Sequence, residues 1–369
     1  MRPIHALPLP WLFSARTDLL TFLGSATLAL ALLCLGLWLG WEEQETPEWL
    51  WISTIVLIDV AHVYATGFRV YLDRQELRRR PWLYAVVPVL AFAVGAAVYS
   101  EGPLIFWRTL AYLAVFHFVR QQYGWVMLYR GKAGERDLAS RLTDSAAIYL
   151  ATIYPLVYWH AHPRRFAWFV DTDFATLPVL AEQLLWPVYC LSLFLYLGRS
   201  VSQAVWERRF NPGKDVVVIT TAICWYTGIV ACNSDYAFTV TNVITHGIPY
   251  IVLVGWDREH PIPAAAPDPV APDPHRPRRW SRWSRWSRIL GFLGGLWGLA
   301  FFEELLWDCG VWHERSWLFG PAWQIGRFDL VLVPLLAVPQ ITHYILDGFI
   351  WRRRSNHEVA LRYQSLPRT

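Results

Sequence analysis

Charge is what this sequence has least of. Asp, Glu, Lys and Arg make up 17% of its 369 residues, where soluble domains carry about a quarter. An ordinary water-soluble domain is therefore excluded. Cysteine is also sparse: Cys34, Cys190, Cys224, Cys232 and Cys309 contain no Cys-x-x-Cys pair, so neither a zinc ribbon nor a disulfide framework follows. Cys232 and Cys309 fall near the outer ends of predicted helices and are expected to be free thiols. There is no Walker loop, Gly-x-Gly-x-x-Gly, Gly-x-Ser-x-Gly or His-Glu-x-x-His, so the chain has no recognisable nucleotide engine. No small-residue cleavage pattern follows the apolar run Leu19–Leu39, which is longer than a usual signal core.

What is abundant is apolar surface. The composition is 55% hydrophobic and 16% aromatic, and runs long enough to cross hydrocarbon, such as Leu19–Leu39 and Leu83–Val98, recur along the chain. The expected fold class is all-α, a polytopic integral membrane helical bundle. The segments 19–40, 50–71, 83–99, 104–129, 144–160, 178–198, 215–232, 236–255, 289–308 and 329–350 read as ten transmembrane helices. With the N-terminus cytoplasmic, the inner segments hold 26 of the 33 Lys and Arg, and the outer loops hold only Arg164, Arg165, Arg315 and Arg327. The positive-inside rule thus places both termini in the cytoplasm. The expected location is a multi-pass position in a bacterial cytoplasmic (inner) membrane. Most of the 23 tryptophans are accounted for as the interfacial belt.

One linker is evident. Residues 261–277 contain seven prolines, which keep the segment extended. Arg-Trp-Ser follows three times over 279–287 and suits an anionic inner leaflet; nothing else supports nucleic acid as a partner. The chain is therefore divided into helices 1–8 (1–255), a cytoplasmic linker (256–288), helices 9–10 completing the same bundle (289–350), and a basic cytoplasmic tail (351–369).

The chemistry is placed by four histidines. His62, His117, His246 and His343 lie inside predicted spans 2, 4, 8 and 10, which all run in the same direction. Each lies roughly 8–13 residues, about 12–20 Å, from the inner charged boundary. Ionisable groups inside a membrane are costly and default to a functional reading. Each histidine also belongs to a polar stripe at helical spacing: Asp59, His62, Thr66 and Arg69; His117, Arg120, Gln121 and Gly124; Thr239, Asn242, His246 and Tyr250; Gln340, His343 and Asp347. Residues three, four and seven apart share a face. Lipid cannot accept such faces, so they are expected to meet in one interior cavity.

Neutral imidazoles ligate iron, copper, zinc or nickel, and neighbouring carboxylates favour a harder metal, iron first. The metal ligands are expected to be His62, His117, His246 and His343. Asp59 and Asp347 have catalytic or ring-orienting roles, and Arg69, Arg120, Gln121, Asn242 and Tyr250 contact substrate. Membrane lipids and a lipid-soluble substrate are the expected partners, with a separate electron donor. The plan resembles multi-histidine membrane desaturases and hydroxylases and histidine-ligated membrane carotenoid oxygenases, which implies an iron-dependent oxidoreductase acting on a lipid or isoprenoid. Desaturase-type His-His pairs are absent, which favours a mononuclear centre. The alternatives are a transporter or proton-coupled permease lined by the same stripes, and a haem b protein. A fluorescent-protein fusion at Thr369 is expected to fluoresce and a phosphatase fusion there to be inactive, with the reverse for fusions after Thr46; the opposite pattern overturns the orientation.

Overall fold

A computed structural model describes residues 9–41, 47–164, 174–260, 284–323 and 328–352. The proline-rich linker 261–277, the Arg-Trp-Ser repeat up to residue 283, and the tail beyond Arg352 lie outside the described residues. The described residues are helical with no strand. Ten long helices follow one another: α1 (Ala15–Leu39), α2 (Glu48–Val70), α3 (Pro81–Glu101), α4 (Pro103–Ala133), α5 (Leu138–Ala161), α6 (Val179–Val205), α7 (Pro212–Ala231), α8 (Asp235–Glu259), α9 (Arg285–Trp312) and α10 (Asp329–Ile350). Eight of them are long and apolar enough to cross a membrane; α4 and α5 are the other two. The chain is thus a multi-pass membrane protein whose two most polar long helices carry part of its interior chemistry.

The helix ends are written locally. The Ser14 hydroxyl accepts from Thr17 N–H, Asp137 from Ser140 N–H at 2.8 Å, and Ser234 from Ala237 N–H. Such caps satisfy amides that no helical carbonyl reaches. Proline opens α3, α4 and α7, where its missing N–H costs nothing. Gly134 closes α4 at φ +69°, a left-handed conformation that side chains resist. The α4–α5 reversal is therefore short and fixed. Within α10, the helix breaks at Ala337 between Pro334 and Pro339, as proline's lost donor and ring clash require.

α8 is the central helix, with 78% of its apolar window buried, whereas α6 and α9 bury only 17%. α6 turns Leu184, Leu191, Phe194 and Leu195 outward. An apolar surface of that kind is normal only against lipid. Inside, Ile55, Val60 and Ala65 of α2 pack with Tyr250 and Val254 of α8 and with Phe292 and Leu296 of α9. Phe22, Trp125, Ile148 and Val217 join α1, α4, α5 and α7, and Tyr84, Val87, Leu346 and Ile350 join α3 to α10. The last two long helices thus pack directly on the earlier ones.

Two features bring α2 and α8 together. Wide π-helical turns run through Trp51–Val60 and Thr239–Val243, just before His62 and His246. Such turns re-aim the side chains that follow and concentrate at functional sites. One residue past His246, Gly247 touches α2: a Cβ there would lie 2.6 Å from Ile58 Cγ2 and 3.1 Å from the Ile58 carbonyl oxygen. Gly247→Ala is therefore expected to wedge the two helices apart and cost about 1–3 kcal/mol. A lower unfolding temperature in detergent checks this, and an unchanged one would show that the crossing does not need glycine.

Candidate metal centre

His62 on α2, His117 on α4, His246 on α8 and His343 on α10 converge in the interior, each at least 96% buried. His246 Nε2 lies 3.1 Å from His62 Nε2, and His343 Nε2 lies 3.1 Å from His117 Nε2. The two pairs are interleaved. Ring centroids are 4.8 Å apart for His62 and His343 and 5.2 Å for His117 and His246. Ligand atoms of His62, His117 and His246 lie within 4.8 Å of one another, as do those of His117, His343 and Asp347.

Hydrogen bonds set two of the four rings. Asp347 Oδ1 accepts from the Tyr250 hydroxyl at 2.5 Å. With its one proton so used, Tyr250 accepts at its oxygen from Thr66, 2.6 Å away, and Thr66 in turn accepts from His343 Nδ1 at 2.7 Å. A carboxylate can only accept, so the chain has one direction, from His343 to Asp347. It places the His343 proton on Nδ1 and leaves Nε2 with its lone pair facing His117. His62 behaves alike, its Nδ1 against the main-chain carbonyl of Asp59. The Asp59 carboxylate stands 3.5 Å from the same nitrogen. Fixing one ring nitrogen to present the other is how metal-binding imidazoles are held. Aromatic faces complete the packing: Phe118 stacks on His246 at 3.7 Å, and Tyr344 on His117 at 4.7 Å.

This donor set fits a transition metal. For metal–nitrogen bonds of about 2.0–2.1 Å, nitrogens 3.1 Å apart subtend roughly 95–100° at the ion. The described residues supply two overlapping ligand groups that share His117, one with His62 and His246 and one with His343 and Asp347. Each spans up to 4.8 Å, somewhat wider than the roughly 4.2 Å across a single ion's sphere. The outer carboxylate of Asp347 is 3.9 Å from His117 Nε2, at the edge of this sphere.

A cleft of about 870 Å³ leads to the cluster, lined at its inner end by His117, Tyr250, Tyr344 and Asp347. Arg120, Gln121 and Tyr250 thus border the cleft, although Gln121 is also tied to the His246 carbonyl at 3.1 Å. Arg120 donates to the Tyr149 hydroxyl and lies over the Tyr123 ring. Asn242 is elsewhere: it is buried beside Thr241 and Gly228, on the α7 side of α8. Arg69 is also elsewhere, buried in an ion-pair group with Asp257 at 3.1 Å, Asp73 and Glu76. Its polar stripe faces inward, but the carboxylates that meet it come from α8 and from the short helix Arg74–Arg79 and its cap. All five cysteines are free.

Sequence reasoning did not find the roles of Thr66 and Tyr344. Thr66 stood in the right stripe, yet only the helix crossing reveals that it joins His343 to Tyr250. Glu303, which from its place near the outer end of α9 reads as interfacial, is instead 2% exposed and bonded by Trp307 at 3.3 Å. No family model matches this chain, and neither does any curated protein or solved structure. Thr66→Val is expected to leave the fold intact and lower transition-metal affinity about 10–100-fold, the usual cost of losing a ring-orienting partner. Chelator competition on the purified protein measures this, and unchanged affinity would show that the relay does not hold His343.

Proposed function

We propose that this chain is an integral membrane metalloprotein, an iron-dependent oxidoreductase that acts on a lipid or isoprenoid at a mononuclear four-histidine site. In this reading the ten long helices all cross the bilayer and both termini are cytoplasmic. The observation that carries the proposal is the convergence of four buried imidazoles from α2, α4, α8 and α10, two with their Nε2 lone pairs already turned inward. A carboxylate beside the imidazoles favours iron over softer metals.

Each residue has a defined task. His62, His117, His246 and His343 hold the ion, which when bound supplies one-electron chemistry that side chains lack. Thr66 and Tyr250 keep the His343 proton on Nδ1. Asp347, the acceptor at the end of that relay and on the wall of the cleft, is placed to take a proton from substrate. Asp59 orients His62. Packing by Phe118 and Tyr344 excludes water from the rings, and the cleft gives a lipid-soluble molecule a path to them. Electrons come from a separate donor or co-substrate, since the chain carries no nucleotide motif.

A haem fits less well. Two axial imidazoles must stand about 4 Å apart with a flat macrocycle between them, whereas these rings meet pairwise at 3.1 Å and pack edge-on. Transport by the same stripes is the remaining alternative; of the four histidines, the cleft is lined by His117.

Elemental analysis and an optical spectrum of detergent-purified protein, beside His117→Ala and His246→Ala, test the proposal. One iron per chain is expected, without a Soret band, lost in both variants while expression is retained. A Soret band would make it a haem protein. No metal after anaerobic reconstitution with ferrous iron would remove the metalloenzyme reading and leave transport.

A further inference from the structure

The cleft that ends at His117 and Asp347 changes character along its length. Its inner part is walled by Phe116, Tyr344 and Gly348, and it opens at Arg136 and Arg141, where α4 turns into α5. From His117 to Arg130 alone, thirteen residues of helix span about 20 Å, so the opening is far from the histidines. Neighbouring cations at this end are neutralised. Arg130 meets Asp144 and Glu135 at 3.1 Å, Lys214 meets Glu135 at 2.8 Å, and Arg199 meets Asp137 at 2.7 Å. Arg136 and Arg141 are exposed and meet no carboxylate among the described residues. Gly124 lines the passage between the two ends, and a Cβ there would meet nothing within 4 Å. The passage is therefore open at mid-length, and its volume of about 870 Å³ falls in the usual range of about 300–1,000 Å³ for small-molecule sites.

We propose that this cleft binds a single-chain lipid with an anionic head, a carboxylate or a phosphate. The head lies between Arg136 and Arg141, and the chain passes Gly124 to reach the histidine cluster. The reason is the match of two unlike ends: guanidiniums left without partners recognise an oxyanion through charge-assisted bonds, and aromatic walls accept hydrocarbon. The histidines then act on the chain remote from the head. This inference rests on the metalloenzyme reading only for what happens at the inner end; binding itself does not require the metal.

The test uses the full-length protein in a zwitterionic detergent with three fluorescent probes of one chain length: a long-chain carboxylic acid, its methyl ester and the alkyl phosphate. The acid or the phosphate is expected to bind roughly tenfold tighter than the ester, the scale of two exposed ion pairs; whichever is preferred names the head. Arg136→Gln with Arg141→Gln should abolish that preference and leave ester binding unchanged. Gly124→Trp should block all three probes while the unfolding temperature and metal content stay as in the parent. The proposal is overturned if the double variant keeps the preference, if Gly124→Trp binds normally, or if inorganic phosphate displaces the alkyl phosphate as well as the unlabelled amphiphile does. Metal content of the same samples separates the two readings. Head-dependent binding without metal removes the metalloenzyme reading alone, and metal without head-dependent binding removes this proposal alone.

Discussion

Everything in this bundle follows from the refusal of hydrocarbon to form hydrogen bonds. A polar group left unpaired in that medium costs several kcal/mol, so each polar stripe must find another. Four helices carry stripes with a histidine at similar depth, and the stripes meet on one axis around α8. The cost is visible in the backbone as well. Wide turns precede His62 and His246, and Gly247 lets α8 approach the Ile58 carbonyl closely. Similar turns occur at Leu19–Gly24, Tyr226–Ala231 and Asp308–Trp312, so it is the close approach at Gly247 that most directly sets the α2–α8 crossing beside the rings.

Depth is kept by charge at one end of the bundle. Arg130, Lys214, Glu135 and Asp144 join α4, α5 and α7; Arg69 ties α2 to Asp257 of α8; and Arg288 grips Glu259 through two nitrogens at 2.8 and 2.9 Å, joining α9 to α8. The Arg288–Glu259 pair is partly exposed, but the Arg130–Asp144, Lys214–Asp144 and Arg69–Glu76 pairs are buried. Such buried pairs add little net stability against an apolar replacement, and breaking one leaves an uncompensated charge costing about 3–5 kcal/mol. Their effect is therefore on register more than on total stability. A helix that slid by one turn, about 5.4 Å, would both strand its charge and carry its histidine out of the cluster.

Much of this was legible in the sequence because membrane constraints act locally. Apolar runs marked the helices, the placing of Lys and Arg marked their direction, and helical spacing marked which side chains share a face with each histidine. What remained hidden depends on how helices are rotated against one another. Arg69 shares a face with His62 at an offset of seven, yet Asp257 and Glu76 capture it before it can reach the cleft. Asn242 lies one turn from His246, but it sits within the π-helical stretch Thr239–Val243 and faces Gly228 of α7. Thr66 lay in plain view, and no spacing rule links it to Tyr250 on α8.

The asymmetry within the histidine cluster bears on how it would take an ion. His62 and His343 have their Nδ1 protons fixed by Asp59 and Thr66, so their Nε2 lone pairs point inward whatever else happens. Two lone pairs 3.1 Å apart repel, so with no cation between them His246 and His117 must each offer an N–H at Nε2. To hold an ion, both of these rings would have to carry their proton on Nδ1 instead. His246 Nδ1 has no partner among the described residues, and an orphaned buried donor costs about 1–3 kcal/mol. Coordination by several imidazoles is worth far more, since structural metal sites gain on the order of 10 kcal/mol. A metal bound by these rings would outweigh that cost, with the unpartnered nitrogen tempering its affinity. His246, stacked on Phe118 and bonded through Nε2 to His62, has no second bond at Nδ1 to oppose that change of tautomer.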